Sequence, residues 1–170
     1  MVLRRLDPRD ASYMLEWMHD ASVVRDLRRD FLSLSIADCQ AFIEAAKNSA
    51  EDLHLAVADD TDEYMGTVSL KYITETMAEC AIVMRTCAMG KGYAQFGIKE
   101  LFQIGFQEYH LQTIYWCVSS KNRHALRFWD KCGFRRCVAP VNQKCYTPEE
   151  VSSLIWYCVS AEEKVQKDGG

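Results

Sequence analysis

A chain of 170 residues with a net charge of −4 and 49% hydrophobic residues has the size and composition of one ordinary globular domain. Its lysines and arginines are scattered rather than striped, which argues against strong, nonspecific binding to nucleic acid. We find no apolar run of membrane-spanning length and no signal-peptide pattern. We therefore expect a cytoplasmic protein without membrane association.

The amino-terminal half is predicted to combine strands with helices. A short strand at residues 2–6 ends at Asp7-Pro8, where Asp7 can cap a helix. Apolar residues at positions 14, 15, 17 and 18 predict a helix over residues 11–18. Ser35 begins the next helix, which runs to about Asn48. Strands are predicted at residues 53–58, 64–72 and 79–85.

A long helix is the clearest prediction in the carboxyl-terminal half. Small and apolar residues recur there every three or four positions, at Ala94, Ile98, Leu101, Phe102, Gly105 and Tyr109. The strand at residues 113–118 has no polar alternation, which is typical of a strand covered on both faces. Asn122 and Gly133 are suitable first and last residues for another helix. Strands near residues 134–138 and 153–159 complete one mixed α/β domain over residues 1–160, and the charged tail 161–170 is expected to be frayed.

The eight cysteines form no C-x-x-C pair and have no His-x-x-x-His partner. Most of them lie in apolar stretches such as residues 115–118 and 157–159. We therefore expect free thiols packed as small hydrophobic side chains, with no metal site.

A glycine-rich turn at residues 89–94 precedes the long helix. Small residues allow backbone N–H groups to converge before a helix, whose first amides are unpaired and whose dipole favours anions. A dinucleotide motif would need a third glycine where Gln95 stands, and a P-loop would need Ser or Thr where Gly92 stands. The turn therefore indicates a phosphate-bearing ligand of another kind.

This turn resembles the Q/R-x-x-G-x-G/A motif of the GNAT superfamily of acyl-CoA-dependent N-acetyltransferases. Gly92 and Ala94 occupy the small positions, and Met89 replaces the usual Gln or Arg. Residues 122–134 resemble the family's N-x-x-A-x-x-L-Y-E-K-x-G-F segment, and residues 78–84 resemble the strand that precedes the phosphate turn. The three pieces occur in the family's order and spacing.

The resemblance implies a single-domain GNAT-like fold, with a mixed, mostly antiparallel sheet of six to seven strands flanked by about four helices. It also implies acetyl-CoA as the cofactor, and we expect a monomer or a homodimer. The residues that the resemblance places against the cofactor are Ile82, Val83, Met84, Met89, Gly90, Lys91, Gly92, Tyr93, Ala94, Gln95, Asn122, Ala125 and Trp129.

The resemblance also suggests which residues carry the chemistry. Glu79 would lie next to the acyl group and act as the base, directly or through water, and the main-chain N–H near Met84 would stabilise the oxyanion. Asn122 can serve as a helix cap, as a cofactor contact or as both. Trp129 stands where the family often has tyrosine, so the sequence assigns no general acid: either another hydroxyl serves or the thiolate leaves unaided.

Acceptor contacts in this superfamily come from the amino-terminal helices and the loop between them. Candidates in this chain are Trp17, His19, Asp20, Arg25 and Arg28. Residues 16–24 resemble members that act on nucleotide-linked amino sugars and also members that acetylate ribosomal-protein amino termini. The predicted function is acetylation of a primary amine of a small molecule or amino sugar. Protein N-terminal acetylation and a noncatalytic CoA-binding module are the alternatives.

Overall fold

A seven-stranded sheet forms the centre of the computed structural model, which describes residues 1–140 and 146–163. Its strands are β1 Val2–Arg5, β2 Leu53–Ala58, β3 Tyr64–Lys71, β4 Met77–Met84, β5 Thr113–Ser119, β6 Arg136–Cys137 and β7 Leu154–Ser160. The helices are α1 Ala11–Met18, α2 Ala21–Val24, α3 Ile36–Asn48, α4 Tyr93–Gln107, α5 Arg123–Lys131 and α6 Pro148–Ser153. Two of them, the short α2 and α6, were not predicted from the sequence.

The strands lie in the order β1-β2-β3-β4-β5-β7-β6, and all neighbouring pairs are antiparallel except β4 and β5. This arrangement confirms the predicted mixed, mostly antiparallel sheet. The boundary of β4 differs from the prediction, because the strand begins at Met77 rather than at Glu79.

The sheet splits between its two parallel strands. Pairing of β4 with β5 is confined to three register positions, the last of which joins Glu79 to Tyr115. Beyond that point β4 continues beside β3 to Met84, whereas β5 continues beside β7 to Ser119. We call the resulting gap, between residues 80–84 and residues 116–119, the wedge. Glu79 stands at its closed end.

Helices α4 and α5 cover one face of the sheet. Two glycines allow α4 to lie close to it: a Cβ on Gly97 would come within 2.6 Å of Val57 Cγ2, and one on Gly105 within 2.8 Å of Ile114 Cδ1. Trp116 of β5 is fully enclosed beneath these helices and contacts several other rings. Those rings are Phe102, Trp129, Phe134 and Tyr157.

A second core joins α1 and α3 to the opposite face, around Met14, Trp17, Ile43 and Tyr64. A buried ion pair ties the first strand to the start of α1. Asp10 is fully buried and accepts hydrogen bonds from both terminal nitrogens of Arg4, at 2.8 and 2.9 Å, and from the Asp7 amide at 2.8 Å. The Asp10 carboxylate therefore accepts its hydrogen bonds from groups of the protein rather than from solvent.

Seven cysteines lie in the described part of the chain, and all seven are free thiols. Cys145 and residues 164–170, which include most of the predicted tail, lie outside the described residues. Within residues 1–140 and 146–163, no helix combines the length and the apolar character needed to cross a membrane. The predicted domain limits of 1–160 stay a prediction.

Candidate active site

The turn before α4 depends on two glycines in left-handed backbone conformation. Gly90 has a φ of 74° and Gly92 a φ of 86°. An added Cβ would meet nothing within 4 Å at Gly90 and only the end of the Met1 side chain, at 3.8 Å, at Gly92. The backbone angles rather than the available space therefore favour glycine at both positions.

Helix α4 begins without a side-chain cap, although it is the longest helix in the described part of the chain. The first helical hydrogen bond runs from the Phe96 N–H to the Gly92 carbonyl at 3.0 Å. In contrast, several other helices have capping side chains, from Asp20, Ser35, Asn122 and Thr147. Residues 90–95, which we call the cradle, therefore present helix-terminal amides of the kind that bind phosphate groups.

One lip of the wedge is the outer half of β4. The Arg85 N–H donates to the Met65 carbonyl of β3 at 2.9 Å. Main-chain groups of an antiparallel strand alternate between its two sides, so the N–H and C=O groups of Ile82 and Met84 are directed away from β3. Since β5 has left β4 by this point, these groups face the wedge.

Asn122 lies directly after the end of β5 and is confirmed as a helix cap. Its side-chain oxygen accepts the Ala125 amide at 3.0 Å. The additional cofactor contact predicted for Asn122 and Ala125 stays a prediction.

Glu79 is buried at the closed end of the wedge, with 5% of its side chain exposed. Its Oε1 atom accepts hydrogen bonds from Lys71 Nζ at 3.1 Å and from the Tyr146 hydroxyl at 2.8 Å. Its Oε2 atom is also buried, and no hydrogen-bond partner for it occurs among the described residues. A buried carboxylate oxygen without a partner is costly, and this atom is closed to solvent in the conformation described, so a ligand or a water molecule would bind it only after neighbouring side chains move.

The Tyr146 side chain closes the site from the side opposite β4. Its hydroxyl accepts a hydrogen bond from Cys117 Sγ at 3.3 Å, and the Arg28 guanidinium lies 4.2 Å from the centre of its ring. Burial, followed by the charge of Glu79, raises the pKa of Tyr146 above its usual value. Burial also raises the pKa of the Cys117 thiol to about 11. Both groups therefore stay protonated at neutral pH.

Two of the predicted contact residues lie in the core. Trp17 is 4% exposed, and its indole N–H donates to the Tyr64 hydroxyl at 3.1 Å beneath α1. Trp129 is 3% exposed, with its ring centre 4.4 Å from that of Trp116. Both rings are enclosed by protein, so neither Trp17 nor Trp129 is proposed as a ligand contact.

The other predicted acceptor contacts lie near the surface. His19 Nε2 is 2.8 Å from the Leu34 carbonyl, and Asp20 caps α2 and accepts from the Thr86 hydroxyl at 2.6 Å. Arg25 and Arg28 line an open cavity of about 260 Å³. Glu79, Lys71, Tyr146 and Cys117 form a hydrogen-bonded group that we call the Glu79 cluster. Of these side chains near the surface, Arg28 is the one that reaches the cluster, through its contact with the Tyr146 ring.

Sequence reasoning missed two members of this cluster. Lys71 reaches Glu79 because the two residues are directly paired across β3 and β4, and that register cannot be read from the separate strands. Tyr146 is 67 positions from Glu79 along the chain and lies outside every motif in the sequence. No local signal points to it.

A split, mostly antiparallel sheet, with an uncapped helix terminus after one of the parting strands, is the architecture of an acyl-CoA-dependent transferase. A family model described as an acetyltransferase (GNAT) domain matches residues 1–135. The chain therefore belongs to the GNAT family of acetyltransferases. This membership confirms the predicted enzyme class and acetyl-CoA as the acyl donor.

Solved structures share the fold at low sequence identity. The spermidine N-acetyltransferase of Vibrio cholerae in complex with CoA and spermine is 17% identical, with a TM-score of 0.79 over 96% of this chain and 97% of that one. An acetyltransferase (GNAT family) from Bacillus anthracis is 20% identical, with a TM-score of 0.75 over 95% of each chain. A comparison with curated proteins finds no match.

Proposed function

We propose that the protein acetylates a primary amine of a small molecule, which binds at the free oxygen of Glu79. The observation that carries this proposal is the buried Oε2 atom, which lacks a hydrogen-bond partner among the described residues. An ammonium or amine group placed there would satisfy the carboxylate and would lie where β4 and β5 begin to part.

On the donor side, the cradle suits the diphosphate of acetyl-CoA. Its glycines leave the space in front of the α4 amides free of side chains, and the amides from about Lys91 to Gln95 would hold the phosphate oxygens. Met89 is 37% exposed, so it can stand in the Gln/Arg position without filling this space. The coenzyme arm would then run into the wedge past Ile82 and Val83.

The chemistry follows from the charge state of the acceptor. An alkylamine is mostly protonated at neutral pH and must lose a proton before its nitrogen can attack a thioester. Glu79 would take this proton through Oε2, directly or through a water molecule. The C–N bond then forms and the C–S bond breaks, while the Met84 N–H would stabilise the carbonyl oxygen. The departing sulfur takes up the second proton, which the acetylated nitrogen gives up, and becomes the free thiol.

Direct transfer needs no cysteine nucleophile. Cys117 is the cysteine bonded into the Glu79 cluster, and its thiol stays protonated because burial raises its pKa. A protonated thiol is a poor nucleophile. Its place in the cluster is therefore that of a hydrogen-bond donor to Tyr146.

The preference for a small acceptor is supported by the closure of the site. Tyr146 and the ion pair between Arg28 and Glu150, at 2.7 Å, stand between Glu79 and the surface. The structurally similar Vibrio cholerae enzyme is described as acetylating spermidine, which is also a small amine. Acetylation of a protein amino terminus is the alternative, and it would need Tyr146 and the ion pair between Arg28 and Glu150 to move aside.

The test is release of thiol from acetyl-CoA with a panel of acceptors: spermidine, a nucleotide-linked amino sugar and a peptide that begins with alanine. We expect turnover with one of the small amines, and mass spectrometry of the product should show one acetyl group on nitrogen. Glu79→Gln should remove most of the activity, whereas Glu75→Gln, at an exposed glutamate just before β4, should not. Binding of CoA without turnover on any acceptor would reject the proposal in favour of a noncatalytic module.

A further inference from the structure

We propose that Tyr146 is a positioning residue that holds Glu79 in its reactive orientation. This inference rests on the proposed function, because it takes Glu79 as the base. Tyr146 lies beyond residue 135, where the match to the family model ends. The match to the family model therefore does not cover it.

The geometry constrains one oxygen of Glu79 and leaves the other free. Tyr146 and Lys71 both donate to Oε1, from opposite sides of the strand that carries Glu79. A planar carboxylate held at one oxygen by two donors has little freedom to rotate. The lone pairs of Oε2 are consequently kept in one direction, from which the proposed acceptor amine would have to approach.

Tyr146 itself is held from several elements. Arg28, from the loop after α2, lies over its ring and is paired with Glu150 of α6. The Trp156 ring of β7 packs edge-on at 5.2 Å, and the Cys117 thiol of β5 donates to the hydroxyl. The position of the hydroxyl is therefore set before any ligand binds.

Helix α5 cannot supply this hydroxyl. The residue at the position where the family often has tyrosine is Trp129, and its ring is packed against Trp116 and Phe128 in the aromatic core. Glu79 accepts hydrogen bonds from the Lys71 ammonium and the Tyr146 hydroxyl, Cys117 and Arg28 lie behind the latter, and Tyr115 is the register partner of Glu79 on β5. Removal of the Tyr146 hydroxyl would therefore take a donor from the carboxylate without changing any of these charges.

The test compares Tyr146→Phe with Tyr157→Phe. Tyr157 is a matched control, because its hydroxyl also donates to a carboxylate, that of Asp130 on α5, at 2.8 Å, rather than to Glu79. With acetyl-CoA and the best acceptor of the panel, we expect Tyr146→Phe to lower kcat about tenfold. The KM for acetyl-CoA should stay within about twofold of wild type, and Tyr157→Phe should change neither kcat nor KM.

A double-mutant cycle separates positioning from a general structural effect. If Tyr146 acts through Glu79, Tyr146→Phe should have less than about a twofold effect on kcat in the Glu79→Gln background. Glu150→Gln provides a second variant should Tyr146→Phe fold poorly: it releases Arg28 but keeps the hydroxyl, and we expect about a threefold loss of kcat.

Three results would overturn the inference. In the first, Tyr146→Phe, or Glu150→Gln in its place, has wild-type kcat while wild type is active, and the proposed function survives. In the second, the Tyr146→Phe effect is undiminished in the Glu79→Gln background. In the third, wild type has no turnover with any acceptor, which rejects the proposed function and this inference together.

Discussion

Replacement of Gly66 by alanine should damage the wedge through β4. A Cβ on Gly66 would lie 2.4 Å from both the Val83 carbonyl oxygen and Met84 Sδ, and 3.0 Å from Met84 Cα. The methionine sulfur can move away, but the other two atoms belong to the backbone. Strand β4 must therefore shift away from β3, and since β5 has already parted from it, the shift narrows the wedge.

Overpacking of this kind costs about 2 kcal/mol. For a protein of this size, that corresponds to a fall in Tm of about 4–8 °C. We also expect the KM for acetyl-CoA to rise several-fold, because the displaced strand borders the proposed path of the coenzyme arm. The measurements are thermal unfolding by circular dichroism and initial rates against acetyl-CoA concentration.

Gly105→Ala is the control for Gly66→Ala. An added Cβ there would be close to side-chain ends of Ile114, Leu70 and Leu111, at 2.8–3.4 Å, and alanine is the better helix former. Its position near the end of α4 is also remote from the wedge, so its KM should match that of wild type. A Gly66→Ala protein with wild-type Tm and KM would refute the reasoning.

Three further changes test other parts of the structure. Glu79→Gln should lower kcat/KM by about 100-fold or more, and a loss below about threefold in initial-rate measurements would exclude Glu79 as the base. Gly92→Ala, at a φ of 86°, should cost about 1–2 kcal/mol of stability and weaken CoA binding in calorimetry, and unchanged affinity would place the phosphates elsewhere. Asp10→Ala leaves Arg4 without its bidentate partner, so urea unfolding should show a loss of about 3 kcal/mol, whereas a loss below about 1 kcal/mol would contradict the importance of this buried pair.

Local sequence signals predicted the elements that depend on neighbouring residues. Asn122 caps α5, and Gly133, with a φ of 75°, follows its end, as expected from the preferences of these residues. The apolar repeat in residues 94–109 corresponds to α4, and the run without polar alternation corresponds to β5. The glycines of the cradle were identified from the sequence because glycine is the residue that most readily adopts positive φ angles.

Helices α2 and α6 were not predicted, and the sequence did not decide between packing and ligand contact for Trp17 and Trp129. The two helices are only four and six residues long, so they have no periodic pattern to detect. An aromatic residue can pack in a core or line a ligand site with the same sequence around it. Its neighbours in space decide between these environments, and for Trp129 they are Trp116 and Tyr157.

The sequence by itself determined the order of the seven strands and the four longer helices, the phosphate-type turn and the family, because each of these rests on residues close together in the chain. Only the tertiary structure decided which groups meet at the carboxylate of Glu79. Lys71 reaches it through the β3–β4 register, and Tyr146 reaches it across 67 positions of chain. These contacts depend on where the sheet splits and on which side chains pack beside Glu79. Neither of these can be recognised from the residues next to Lys71 or Tyr146 in the sequence.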